Sequence, residues 1–167
     1  MKLIFIRHGE ANINTGKLTF RGKRQVKHIL NFLKDEKFSA IYCSPRTRAL
    51  QSANILNAKL KTQIFIQQNL NERQLLPIGK EKYQDDYNTN YLNYNYENSH
   101  FETCKSFIDR NFKVFDKIKN KHKKDAVIII AHSATLSALN AYINGLPEDG
   151  QIKWLQCSNG AVIKYNI

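Results

Sequence analysis

The chain has 167 residues, a length that suits one domain able to bury roughly 70% of its unfolded surface without a disulfide or metal staple. Lys and Arg total 26 against 14 Asp and Glu, a formal charge of +12 that suits an anionic partner, although Lys on solvated helix faces accounts for much of the excess. Cys43, Cys104 and Cys157 show neither CxxC nor Cys/His ligand spacing, Arg7 cuts the first apolar run too early for a secretory signal, and no apolar run approaches the roughly 18 residues of a membrane span; the expectation is a cytoplasmic protein with no metal, membrane or nucleic-acid partner.

In chain order, Lys2–Ile6 (KLIFI) predicts a strand buried on both faces, typical of a parallel sheet. Thr19 predicts an N-cap for a helix from about Phe20 to Lys37, with Val26, Ile29, Leu30 and Leu33 at helical spacing. Ser39–Cys43 reads as a second strand. Ser44 as N-cap and Pro45 at the first helical position predict a helix to about Lys61, and Gln63–Gln67 reads as a third strand. Asn71–Ser99 is polar and rich in Tyr and Asn, a long excursion of the kind that is usually functional. The pattern predicts a helix over His100–Lys123, a doubly buried strand at Asp125–Ala131, and a helix over Ser133–Asn144 stopped by Gly145 and Pro147. Ile152–Gln156 and Ala161–Tyr165 are expected as two late strands joined through Ser158-Asn159-Gly160. This order predicts a single α/β domain over 1–167, with a mainly parallel central sheet flanked by helices on both faces.

Ligands of open α/β sheets bind at the carboxyl ends of the strands. Arg7 and His8 follow the first strand, Ser44, Arg46 and Arg48 the second, Glu72 lies just past the third, and His132 follows the fourth. Any one of these has an ordinary structural reading; their coincidence on one rim does not. His28, His100 and His122 fail the same test and carry no predicted chemistry. Arg7 and Arg48 offer planar, permanently charged forks for phosphate oxygens. The helix starts near Pro45 and Ser133 add free N–H groups, and a neutral imidazole in such a cradle is a competent nucleophile toward phosphorus. With no Walker loop and no Asp-rich magnesium motif in the sequence, phosphoryl transfer without metal or cofactor is the inference.

These residues also resemble a known family. Arg7-His8-Gly9-Glu10 resembles the RHG signature of the histidine phosphatase superfamily, whose phosphoglycerate mutase-like branch carries it at the end of the first strand. Asn14, Leu18-Thr19 with Gly22 and Gln25, Ser44-Pro45-Arg46-Thr47-Arg48-Ala49-Leu50-Gln51-Ser52, Leu70-Asn71-Glu72, Glu102-Thr103 with Arg110, Ala131-His132-Ser133 and Asn159-Gly160-Ala161 match its further motifs in the family's order. The resemblance implies that His8 is the nucleophile and that Arg7, Arg48, His132 and, as a lesser contact, Asn14 hold the phosphoryl oxygens. It implies that Glu72 protonates the leaving oxygen and then deprotonates water. It selects Arg48 over Arg46, and Ser133 after His132 separates this chain from the acid-phosphatase branch.

The chain departs from the family in three places, one being that the long insertion by which mutases grip a bisphosphate is largely missing at 167 residues. Only Thr15-Gly16-Lys17 stand between Asn14 and Leu18, and His100-Phe101 replace the usual Gly-Gly. The shortened loops argue for a phosphomonoester hydrolase over mutase-type phosphoryl transfer, and the lack of nucleic-acid motifs or aromatic–basic interleaving argues against a phosphate-binding module. Glu72 argues against a protein phosphohistidine phosphatase, because phosphohistidine leaves without an acid. The substrate expected is a small phosphorylated metabolite or a phosphoprotein. Specificity is expected in the excursion at about 73–101, where Tyr83, Tyr87, Tyr91, Tyr94 and Tyr96 could stack on a ring and Lys80, Lys82 and Lys105 could meet a second anionic group.

Overall fold

The apolar runs fix the sheet. The computed structural model describes residues 1–74 and 81–167. It contains strands β1 (Lys2–Arg7), β2 (Ala40–Cys43), β3 (Gln63–Ile66), β4 (Ala126–Ala131) and β5 (Val162–Asn166) in the order β3-β2-β4-β1-β5. The first four run parallel, with Lys2–Arg7 in register with Ala126–Ala131 and Ala40–Cys43 with Val127–Ile130; β5 is antiparallel to β1. The central strands β1, β2 and β4 are covered on both sides, which explains why they read as continuous apolar runs.

Alternate side chains feed two cores. Leu3, Phe5, Tyr42, Val127 and Ile129 pack with residues of helices α4 (Cys104–Lys121) and α5 (Ser133–Asn144). Ile4, Ile6, Ile41, Cys43, Ile128 and Ile130 pack with α1 (Phe20–Leu33) and α2 (Thr47–Leu60). Each fully buried Leu, Ile or Phe contributes about 1.5–3 kcal/mol. The fold is therefore the predicted α/β domain with helices on both faces. A short helix, α3 (Gln84–Asn90), lies in the Tyr-rich excursion, and among the described residues no helix is long and apolar enough to cross a membrane.

Capping chemistry moves several predicted boundaries. Thr19 caps α1 as expected, its hydroxyl accepting the Gly22 N–H. Ser44 does not cap α2. Its hydroxyl bonds His132 and accepts the Arg46 N–H at 3.3 Å, ahead of the helix, which starts at Thr47 behind Arg46 with no side-chain cap. α4 starts at Cys104, not His100, because Thr103 accepts the Ser106 N–H at 3.1 Å while Asn98 Oδ1 holds the N–H groups of His100 and Phe101 in a turn.

Ile152–Gln156 is not a strand. Its polar groups are spent elsewhere: the Ile152 N–H on the Leu92 carbonyl and the Leu155 N–H on Ser137 Oγ. The Ser158-Asn159-Gly160 turn forms, with Gly160 at φ +76°, but it docks on β1 instead of closing a hairpin. The Gly160 N–H lies 3.1 Å from the carbonyls of both Arg7 and His8.

Candidate active site

Every predicted rim element ends at one place. His8 follows β1 directly, with its N–H on the Ala131 carbonyl at 3.1 Å. Ser44 follows β2, its N–H on the Ile130 carbonyl, and His132 stands at the N-terminus of α5. Arg48 lies in the first turn of α2, and Glu72 follows the 3-10 turn Gln68–Leu70 after β3. Gly9 is obligatory because the chain turns against another backbone: a Cβ there would come within 2.4 Å of the Gly22 carbonyl oxygen, and one on Gly22 within 2.0 Å of the Glu10 carbonyl oxygen. Three polar side chains tie the same loop down. Gln25 accepts the Glu10 N–H, Ser52 the Gly9 N–H, and Gln51 the Leu18 N–H.

Arg48 is the hub. Its Nε donates to His8 Nε2 at 2.8 Å, and its Nη2 lies 3.3 Å from His132 Nδ1 and 3.6 Å from Glu72 Oε2. Glu72 Oε2 is 3.2 Å from His132 Nδ1, and Ser44 Oγ is 2.8 Å from His132 Nε2. The two imidazoles meet edge to face with centroids 5.1 Å apart.

The His8 tautomer follows from its partners. Arginine only donates, so Nε2 accepts and carries the lone pair; Nδ1 carries the proton and donates it to the Gly9 carbonyl at 2.7 Å. Arg7 points its Nη1 at the Cys157 carbonyl, while its Nε is buried without a hydrogen-bond partner.

Burial sets the protonation states. It lowers the His8 pKa from 6.5 to about 4, opposed by the Gly9 hydrogen bond and helped by Arg48 and Arg7. The same desolvation, with His8 and the nearby guanidinium groups, puts His132 well below its ordinary value. Glu72 moves the other way, raised by burial although Arg48, the Arg73 N–H and the other cations pull it down. The site therefore holds neutral imidazoles, permanent cations and a carboxyl group with increased proton affinity. Beside it opens a cavity of about 720 Å³ lined by Arg7, Arg48, Glu72, Arg73, Tyr91 and Trp154, among others. Among the described residues, no group of three or more His, Cys, Asp or Glu is placed to hold a metal ion.

Residues 3–167 match the family model of the histidine phosphatase superfamily, branch 1. The chain belongs to that superfamily. A phosphatase of Bacillus subtilis (strain 168), PhoE, is 28% identical over 156 residues, covering 84% of this chain and 76% of that protein. Phosphoserine phosphatase 1 of Hydrogenobacter thermophilus is 25% identical over 163 residues, covering 87% of this chain and 77% of the relative. Among solved structures, Bacillus stearothermophilus YhfR superposes with a TM-score of 0.81 at 21% identity, over 99% of this chain and 91% of that one. The chain is accordingly an enzyme, a phosphatase with the phosphoglycerate mutase-like fold.

In this histidine phosphatase, five of the predicted site residues come together: Arg7, His8, Arg48, Glu72 and His132. Asn14 does not join them. It is exposed in a short hairpin closed by the Ala11–Leu18 bridge, with its N–H on Asn12 Oδ1. Arg46 donates to Asn71 Oδ1 at 2.7 Å instead of entering the cluster.

Sequence reasoning missed Arg73, which is 3% exposed and lies 4.1 Å over the Tyr91 ring, and Trp154 on the cavity wall. It also missed what Arg110 does. Arg110 pairs with Glu102 at 2.6 Å and donates to the carbonyls of Asn69 and Asn71, fastening the segment that carries Glu72 to α4. Glu102 lies just before the α4 cap Thr103, and the available signal was the pairing of Glu102 with Arg110 in the family resemblance.

The expected second-anion lysines are otherwise occupied or out of view. Lys105 pairs with Asp109, Lys82 lies over Tyr83, and Lys80 is outside the described residues. Tyr94 and Tyr96 donate to Asp109 and Asp86, and Tyr83 stacks on His100, so these three cover the domain's flank.

Proposed function

We propose that the enzyme hydrolyses phosphomonoesters through a phosphohistidine on His8. The observation that carries this reading is the His8 tautomer: a neutral ring whose Nε2 lone pair faces Arg48 and whose Nδ1–H is held by the Gly9 carbonyl.

In the proposed reaction Arg48 transfers its N–H groups from the imidazole to the phosphoryl oxygens, which Arg7 and neutral His132 also contact. Nε2 forms a bond to phosphorus as the P–O bond to the leaving group breaks. The positive charge that develops on the ring is stabilised by the Gly9 carbonyl at Nδ1. Glu72, its proton affinity raised by burial, delivers its proton to the departing alkoxide. Glu72, now a carboxylate, takes a proton from water as the water oxygen attacks phosphorus and the P–N bond breaks, which returns His8 to its neutral state.

Two features support hydrolysis over mutase-type transfer. The 11–18 hairpin is too short to cover the site, and its tip residue Ile13 is 94% exposed. We assign the substrate to small phosphorylated metabolites, the class named for the structurally similar Entamoeba histolytica phosphoserine phosphatase bound to phosphoserine. The site residues and a cytoplasmic location are part of the same reading.

A phosphatase assay on variants tests it. His8→Ala abolishes hydrolysis of every ester. Glu72→Gln lowers kcat/KM for ethyl phosphate by about 10²–10⁴-fold and that for p-nitrophenyl phosphate far less, because nitrophenolate leaves without a proton. Equal losses on the two esters contradict the acid role of Glu72; an active His8→Ala enzyme contradicts the mechanism.

A further inference from the structure

The cavity beside the phosphoryl site is larger than a simple alcohol requires. At about 720 Å³ it lies within the range of pockets that bury drug-sized molecules, roughly 300–1,000 Å³. Arg7, Arg48 and Glu72 line it together with an aromatic wall made by Tyr91 and Trp154. The two rings lie with centroids 5.4 Å apart, tilted by 54°.

This wall is assembled in advance. Arg73 lies over the Tyr91 ring, donates to the Tyr91 carbonyl and bonds the Glu102 carbonyl at 3.2 Å, so Tyr91 is held in place. The two chain segments that bring the rings together are tied by main-chain bonds: the Tyr94 N–H to the Gly150 carbonyl at 2.7 Å and the Ile152 N–H to the Leu92 carbonyl at 2.9 Å. These contacts explain why 152–156 leaves the sheet: it serves as the far side of the cavity. Trp154 is half-buried, and Gln156 and Ser158 add polar side chains beside it. A ring fixed before ligand arrives loses little conformational freedom on binding.

Resting on the phosphatase reading above, we infer that the leaving group is a ring-bearing, aromatic or heteroaromatic alcohol that stacks on Trp154 while Arg7 and Arg48 hold its phosphoryl group. Tyr91 supports the indole, and Gln156 and Ser158 accept or donate hydrogen bonds at the ring's edge. Of the tyrosines at 83–96 whose surroundings are described, Tyr91 is the one that lines this cavity.

Benzyl phosphate and ethyl phosphate test the inference, since both release a primary alcohol and differ chiefly in the ring. The wild-type enzyme is expected to prefer benzyl phosphate by about tenfold or more in kcat/KM, the scale of one aromatic stacking contact. Trp154→Ala collapses that ratio and Trp154→Phe keeps most of it. Trp154 is also the chain's single tryptophan, so its emission reports the contact without turnover. In the His8→Ala protein, benzyl phosphate changes the emission at concentrations where ethyl phosphate does not, and this readout decides the matter even if Trp154→Ala does not fold. An unchanged benzyl-to-ethyl ratio in Trp154→Ala, or equal emission changes with both esters, overturns the inference. Absence of turnover on both esters, with the benzyl-selective emission change retained, refutes the phosphatase reading and leaves the stacking wall standing.

Discussion

His8 is 5% exposed and faces two guanidinium groups, so its charge state depends strongly on pH. Its pKa is about 4 in the folded chain and near 6.5 in the unfolded one. Between those values the unfolded state binds more protons, so stability rises with pH across the window and is lost as pH falls from about 6.5 toward 4. A difference of this size corresponds to about 3 kcal/mol. His132 works in the same direction; the raised Glu72 carboxyl works in the opposite one. Comparison with His8→Gln isolates the His8 part. Melting temperatures measured from pH 7.5 to 4.5 should fall several degrees further for the wild type than for the variant, at about 2–4 °C per kcal/mol for this size. Parallel curves contradict the assignment.

The same residue was legible in the sequence because its position needs only a strand end and a neighbouring arginine. Glu72 and His132 lie past strand ends in the same way, whereas Arg48 was separated from Arg46 only by the family resemblance. Ser44 was placed at the rim but read as a helix cap; its contact with His132 was not legible, since only the sheet order that sets β2 beside β4 brings the two together. Asn14, expected as a lesser phosphate contact, stands exposed in the 11–18 hairpin with its N–H on Asn12 Oδ1.

At the level of elements, the Glu72 segment has little regular structure of its own and is held by α4. Arg110 donates to the carbonyls of Asn69 and Asn71 at 2.6 and 2.9 Å, and Glu102 accepts the Gln74 N–H at 2.9 Å while pairing with Arg110. Arg110 is therefore a positioning residue for Glu72. Arg110→Met leaves Glu102, 13% exposed, without its cation, a loss that costs a few kcal/mol for a pair this buried. Melting temperature falls, and kcat/KM for ethyl phosphate falls about tenfold or more beyond the loss on p-nitrophenyl phosphate, because only the former needs the acid. A uniform loss on both esters indicates a purely structural role. Strands with apolar residues on both faces and helices with clear caps were legible in the sequence. The 152–156 run was not, since alternating apolar residues describe a cavity wall as well as a strand.

For the molecule as a whole, two cores on opposite faces of one sheet leave the carboxyl ends of β1, β2 and β4 open at a single rim. Periodicity and strand burial predicted that architecture because each periodic run pairs or packs with its nearest equivalents. The direction of β5 was the part that required coordinates: it runs antiparallel beside β1, and its preceding turn seals the Arg7–His8 carbonyls. The net charge of +12 never located the site; the positions of Arg7, His8, Arg48, Glu72 and His132 just past the strand ends did.

The central claim is a covalent bond between phosphorus and Nε2 of His8. Glu72→Gln mixed with excess p-nitrophenyl phosphate should form that bond readily and hydrolyse it slowly, since the leaving group needs no acid and the water lacks its base. Quenching in alkali, followed by intact-mass and peptide analysis, should show one acid-labile phosphoryl group on His8, formed with one equivalent of nitrophenol. Continued turnover with no phosphorylated protein, or the phosphoryl group on any other residue, contradicts the account.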